Sequence, residues 1–248
     1  MTSLVVGDLS LELRRSERRR SPEITVERDG RLTLAAPAAA SAEELTRFVQ
    51  SKRFRIYQQL AARESLPPTP PPRQFVDGAG FPYLGRSYRL LLVPEQEVPV
   101  KLTAGRFQMR RADAERGKGG EAGEAGEGEA GEAGEGEAHM IRWYSAHARP
   151  WLAARVARYA GRIRVTPAGL TVRDLGYRWG SCGKGGRLYF HWKTILLPPR
   201  LIEYVVVHEL VHLREPDHGA MFWRRVERVI PDWAERRAAL REVGRGIW

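Results

Sequence analysis

The chain has 248 residues, enough for one large domain or two small ones, and its 41 Lys and Arg against 30 Asp and Glu give a formal net charge of +11. It contains no run of about 18 apolar residues, which excludes a membrane-spanning helix, and its one cysteine, Cys182, excludes an internal disulfide and fits a reducing compartment. The opening MTSLVVGDLSLELRRSERRR alternates apolar and polar residues and lacks the charged-then-apolar layout of a secretory signal, so a cytoplasmic globular protein is expected.

Residues 3 to 36 read as strands: LSLELRRS alternates, and EITVERDGRLTLAAP alternates on both sides of Asp29-Gly30, a two-residue hairpin signal. A helix is predicted over about 41 to 64. Ser41 and Glu44 form a capping box, and Leu45, Phe48, Val49, Ile56 and Leu60 supply the apolar stripe. The run PPTPPP at 67 to 72 stops any helix and serves as a stiff connector. FPYLGRSYRLLLV and VPVKLTAGRFQMR then read as further antiparallel strands, which makes residues 1–112 a β-rich N-terminal domain with one covering helix.

Between 113 and 139 the composition changes. EAGEAGEG repeats with a period of eight from Glu121 and from Glu129, with no aromatic or branched apolar residue that could offset the entropy of ordering. This stretch is expected to be a disordered acidic insert. Residues 140–248 form the second expected domain. MIRWYSAHARPWLAARVARYAGRI has helical spacing, with Pro150 expected to kink or break it. Strands separated by Gly-rich turns follow through TVRDLGYRWGSCGKGGRLYFHWKT. Pro198-Pro199 opens the helix RLIEYVVVHELVHLRE, and two more helices are expected around 219 to 230 and 232 to 243.

The segment HELVHLREPDH, residues 208 to 218, concentrates the chemistry. His208 and His212 are four residues apart, so a helix presents both on one face, where two imidazoles can converge on an ion about 2.0–2.1 Å from each nitrogen. Glu209 is displaced around the helix and can reach a water activated by that ion. This is the H-E-x-x-H pattern of zinc peptidases. Pro216 disfavours helix at Glu215, so the chain can turn back and present His218 as a third ligand, with Asp217 available to cap the next helix. Three protein ligands and one open position suit a catalytic zinc; a fourth ligand, for which Cys182 is the candidate, would make a closed structural site and leave Glu209 without a purpose. His139 and His147 read as surface residues. His191 reads as a hydrogen-bonded strand residue or one that reaches the cleft, and Cys182 as a packed thiol in a tight turn.

YRWGSC, YFHWKTILLPP, YVVVHELVHLREPDHGAMFW and IPDW together resemble the signature of the YgjP-like metallopeptidase family, predicted metal-dependent hydrolases related in their catalytic core to SprT-like and Wss-type zincins. The resemblance runs from about residue 10 to 245 and includes ERDGRLTLAAP and GFPYLGRSYRL. It implies an α+β protein whose β-rich first part precedes a zincin-like core with an active-site helix. It also implies that His208, His212 and His218 bind Zn2+, that Glu209 is the catalytic glutamate, and that the strand containing GRLYFHWKT edges the cleft. His191 stands where family members usually carry Asn, and the acidic insert is private to this chain.

Two functions compete. The first is hydrolysis of a peptide or protein substrate by a zinc-activated water with Glu209 as general base, and Arg178, Tyr204 or His191 supporting the oxyanion. The second is a non-proteolytic, zinc-stabilised, nucleic-acid-associated module. Positive charge favours the second, the more so because residues 121–138 contribute seven Glu and leave the rest at +18. Yet 36 of the 41 basic residues are Arg in a chain rich in Ala, Gly and Pro, a skew that fits the codon usage of a GC-rich genome. Charge supplies affinity without specificity, whereas a structural zinc has no use for Glu209.

Overall fold

The computed structural model describes residues 2–26, 30–64, 74–116 and 134–247. Contacts divide the chain into two compact units, Met1–Thr69 and Pro70–Trp248. The Asp29 side of the first hairpin turn, the PPTPPP connector and residues 117–133 of the acidic insert lie outside the described residues. Both units mix strands and helices, so the class is α+β.

The first unit comprises β1 (Thr2–Val6), β2 (Leu9–Ser16), β3 (Glu23–Val26), β4 (Leu32–Pro37) and α1 (Ala42–Glu64). The capping box forms as expected: Glu44 N–H donates to Ser41 Oγ at 3.1 Å and Ser41 N–H to Glu44 Oε2 at 2.9 Å. Leu45, Val49 and Ile56 from α1 share a core with Leu11, Leu34 and Ala36 of the sheet.

In the second unit, β5 (Gly80–Tyr83), β6 (Arg86–Val93), β7 (Val100–Thr103) and β8 (Arg106–Arg110) form a sheet. These strands do not group with the first unit. Phe81, Leu90, Phe107 and Met109 are buried with Met140, Trp143 and Tyr144 of the long helix, so these strands belong to the core that carries the histidine helix.

The sheets are not purely antiparallel. Their orders are β1-β2-β4-β3 and β5-β6-β8-β7, each two antiparallel hairpins joined by parallel pairing of their second strands, β2 with β4 and β6 with β8. Alternating patterns identify strands but not neighbours, because either orientation buries the same face. The β5–β6 turn takes positive φ at Leu84 and Gly85, as a two-residue hairpin loop requires. It docks where a Cβ on Gly85 would lie 2.7 Å from Pro198 Cα, and Leu84 and Gly85 N–H donate to the carbonyls of Ile195 and Leu196. The turn thereby holds the entrance to the histidine helix.

The short α2 (Arg111–Glu115) and the 29-residue α3 (Glu135–Ile163) are helical at both ends of the stretch expected to be disordered. Pro150 does not break α3. Its lost hydrogen bond is offset by burial on both sides, of Trp143, Tyr144 and Ala148 before it and Leu152, Val156 and Tyr159 after it. Next come β9 (Gly169–Arg173), β10 (Gly180–Cys182) and β11 (Arg187–His191), in the order β10-β11-β9. A 3₁₀ turn (Trp192–Leu196) leads into α4 (Pro199–Val211), then α5 (Ala220–Val229) and α6 (Trp233–Arg245). Val205, Val206 and Val207 are poor helix formers, but all three are buried, and packing overrides propensity. Among the described residues no helix is long and apolar enough to cross a membrane.

Candidate metal centre

His208 lies in the last turn of α4 and His212 caps its C-terminus with αR geometry, its N–H bonded to His208 O. The chain then leaves the helix. His218 returns just before α5, so the break near Pro216 does bring it back to the first two. The three Nε2 atoms form a triangle with sides of 3.0, 3.1 and 3.2 Å. Three nitrogens bound tetrahedrally to one zinc would lie about 3.3–3.4 Å apart, within a few tenths of what is found. Nitrogens that face one another so closely cannot all donate and accept; a shared cation resolves the conflict.

The loop between His212 and His218 is fixed by bonds that spacing alone does not reveal. His212 Nδ1 lies 3.0 Å from Glu215 O and acts as its donor, which leaves the Nε2 lone pair facing the other rings. The Glu215 carboxylate accepts from Arg225 on α5 at 2.8 Å, and Trp223 Nε1 donates to His218 O at 3.0 Å. Asp217 does not cap α5, whose N-cap is Gly219. Beneath the triad lies Phe222, fully buried, its ring 4.9, 4.7 and 4.7 Å from those of His208, His212 and His218. Trp223 stacks on His218.

Burial, with the neighbouring His212 and His218, pushes His208 down to about 3, and His218 is lowered by burial and His212. His208 is thus held neutral, the form that binds a metal. Glu209 is only 6% exposed. Burial pushes its carboxyl up to about 8, opposed by the positive charge of Arg178. A divalent cation on the adjacent histidines would act in the same direction as Arg178.

β10 faces this helix. A cavity of about 660 Å³ is lined by Gly180, Ser181 and Cys182 of that strand together with His208, Glu209, His212 and His218. The edge strand at the cleft is therefore β10; β11, the strand expected there, is central and paired on both sides. Trp179 O and Gly183 N–H bond to β11, so by alternation Gly180 and Cys182 turn their backbone groups the other way. Cys182 accordingly sits on a strand and lines the cavity, and burial together with Glu209 raises its thiol pKa. A second recess of about 310 Å³ meets the first at Gly180, His208 and Glu209 and contains Arg178 and Tyr204.

His191 lines neither cavity. It is 1% exposed, its Nδ1 accepts from Lys193 N–H at 2.9 Å, and its Nε2 lies 3.4 Å from Asp174. That leaves Arg178 and Tyr204 of the three oxyanion candidates beside the site. His147 is an exposed helix residue stacked on Trp143. His139 is not a surface residue: its side chain is 11% exposed and lies within 3.8 Å of Asp113 and 3.6 Å of Glu135. These three could also surround an ion, but Arg110 bonds Asp113, Arg116 bonds Glu135 and Arg142 contacts His139 Nδ1. The arginines already balance that cluster, and it joins the two ends of the acidic insert.

A search of the curated proteins finds no match. The crystal structure of the metallopeptidase zymogen of Pyrococcus abyssi abylysin is similar over 37% of this chain and 93% of that one, at 20% identity and a TM-score of 0.34. The sequence profile of the YgjP-like metallopeptidase domain matches residues 20–243. With the profile covering nearly the whole chain, the protein belongs to the YgjP-like metallopeptidase family.

Proposed function

We propose that the protein is a zinc-dependent peptidase of the HExxH type, with His208, His212 and His218 as ligands and Glu209 as general base. The observation that carries this reading is the convergence of three imidazole nitrogens beside a buried carboxylate that opens on the same cavity. Zinc is favoured over harder cations because all three ligands are imidazoles. A zinc ion held there would supply Lewis acidity, acidifying the attacking water and polarising the scissile carbonyl. The active-site helix α4 and edge strand β10 fit a zincin-like core, and the single cysteine fits work in the cytoplasm.

The chain's own residues would do the remainder. The Glu209 carboxylate takes the proton from the attacking water and returns it to the departing amine. The outward backbone groups of Gly180 and Cys182 align an extended peptide by strand addition. Burial raises the pKa of Tyr204, so its phenol stays a donor and, with Arg178, is placed to stabilise the carbonyl oxygen as charge develops. The test is elemental analysis combined with peptide-library cleavage by wild type and Glu209→Gln. One zinc in each protein, with cleavage by wild type alone, is expected; equal cleavage by both would remove Glu209 from the mechanism. Zinc in both with no cleavage and tight nucleic-acid binding would favour the module instead.

A further inference from the structure

The 310 Å³ recess differs in character from the main cleft. Along α6, Arg237, Leu240 and Arg241 follow one another at helical spacing and face Tyr204 and Val205 of α4, while Arg178 closes the recess from the β9–β10 loop. Three guanidinium groups thus line one small volume, and the lone acidic residue among its described lining is Glu209. Among the described residues neither Arg178 nor Arg241 forms an ion pair within 4.0 Å.

Arg237 is also held in place. Its guanidinium lies 4.9 Å from the Trp223 ring, and that ring also stacks with Trp233 and with His218. A cation fixed on an aromatic stack loses little freedom when it binds an anion, which favours selectivity over loose attraction.

We propose that this recess binds a carboxylate of the peptide substrate adjacent to the scissile bond, so that the enzyme selects acidic sequences. The inference rests on the peptidase reading of the same site. Because Gly180, His208 and Glu209 border both cavities, a peptide lying along residues 177–183 passes the catalytic residues with one half in the main cleft and the other over the arginines. A lysine at that position would meet three like charges, which penalises the wrong substrate as well as favouring the right one. The recess holds one or two side chains, whereas nucleic acid backbones are tracked along an open basic strip, so a peptide carboxylate is the better match. That carboxylate belongs either to an Asp or Glu side chain or to the substrate's C-terminus.

The experiment scans Glu, Gln and Lys through each position of a cleaved peptide, each peptide made as the free acid and as the amide, with the zinc-loaded full chain. One position is expected at which Glu exceeds Gln about tenfold or more in kcat/KM and Lys is poorest, a discrimination typical of buried charge recognition. A preference lost on amidation assigns the C-terminus; one that survives assigns a side chain. Arg237→Gln/Arg241→Gln should reduce the Glu over Gln ratio to about twofold with zinc content unchanged, and Arg241→Gln alone should reduce it partly, in case loss of Arg237 disturbs Trp223. Fluorescence titration of the same peptides against Glu209→Gln reads the recess without turnover. If wild type cleaves nothing but the Glu peptide still binds through the arginines, the peptidase reading fails and the recess stands. Equal handling of Glu and Gln, a preference that survives the double variant, or tighter binding of a single-stranded oligonucleotide in the recess would overturn the proposal.

Discussion

A Cβ placed on Gly180 would lie 2.7 Å from Cγ and 2.8 Å from Oε1 of Glu209. The strand can approach the helix this closely because one partner has no side chain, and the approach fixes where the buried carboxylate points. Gly180→Ala should therefore displace Glu209 while leaving the three histidines alone. We expect zinc content within error of wild type and kcat/KM reduced about 10–100-fold, the usual consequence of misplacing a catalytic group by about 1 Å. Parallel elemental analysis and peptide kinetics check it; unchanged kinetics would mean that Glu209 tolerates the shift.

Glu209→Gln keeps the size of the side chain and removes the proposed general base. Cleavage should fall about 10²–10⁴-fold with the metal retained. Single-turnover kinetics on a peptide cleaved by wild type measure this directly.

His212→Ala removes one corner of the nitrogen triangle and the bond that holds Glu215 O. Zinc stoichiometry measured after dialysis should fall from about one per chain to near zero, since two imidazoles alone make a weak site. Phe222→Ala should cost about 3–5 kcal/mol in chemical denaturation and also weaken zinc binding, because that ring supports all three ligands.

Deleting residues 117–133 should change neither melting temperature by more than a few degrees nor zinc content. The residues on either side already meet: Glu135 N–H donates to Arg116 O, and their side chains form a 3.0 Å ion pair. α3 then separates this point from the metal centre. The helix spans about 43 Å, and only its far end reaches the histidine loop, where Arg214 bonds Arg164 O. The deletion should stop at 133, because Glu135 and the residues after it are helical.

His191 provides a pH test. Burial pushes it from 6.5 down to about 4, with Asp174 opposing and Lys193 assisting. Protonation would also break the bond that Nδ1 accepts from Lys193 N–H. Because the folded value lies below the unfolded one, the unfolded chain takes up the proton first as pH falls. The contribution is fully present above about 6.5 and is lost progressively down to about 4, by at most about 3 kcal/mol. His191→Asn can keep the acceptor without the titration. Denaturant unfolding of both proteins between pH 4 and 7.5 should give a shallower pH dependence for the variant; parallel curves would show that His191 is not held neutral.

Much of the site was legible locally. The interval from His208 to His212 places two rings on one helix face by helical geometry alone, and Pro216 marks where the chain can turn back toward His218. The capping box at Ser41 and Glu44 was equally local. His139 was misjudged because part of its surroundings comes from elsewhere: beside Glu135 and Arg142 of its own helix, Asp113 on α2 reaches it from across the acidic insert. Cys182 packs against the core as expected but lies on strand β10 and not in a turn, and its neighbours in the cavity are on α4.

The sequence by itself determined which residues could hold a metal, because ligand chemistry and helical periodicity are properties of eleven consecutive residues. It also determined most strand and helix positions, through alternation, caps and proline. The tertiary structure alone decided that β10 rather than β11 borders the cleft, that Gly180 presses on Glu209, and that α6 brings Arg237 and Arg241 beside Arg178. It decided too that Pro150 stays inside a continuous helix and that the hairpins join in parallel. These relationships depend on packing between segments tens of residues apart, and the periodicity of a segment records which face is buried but not what buries it.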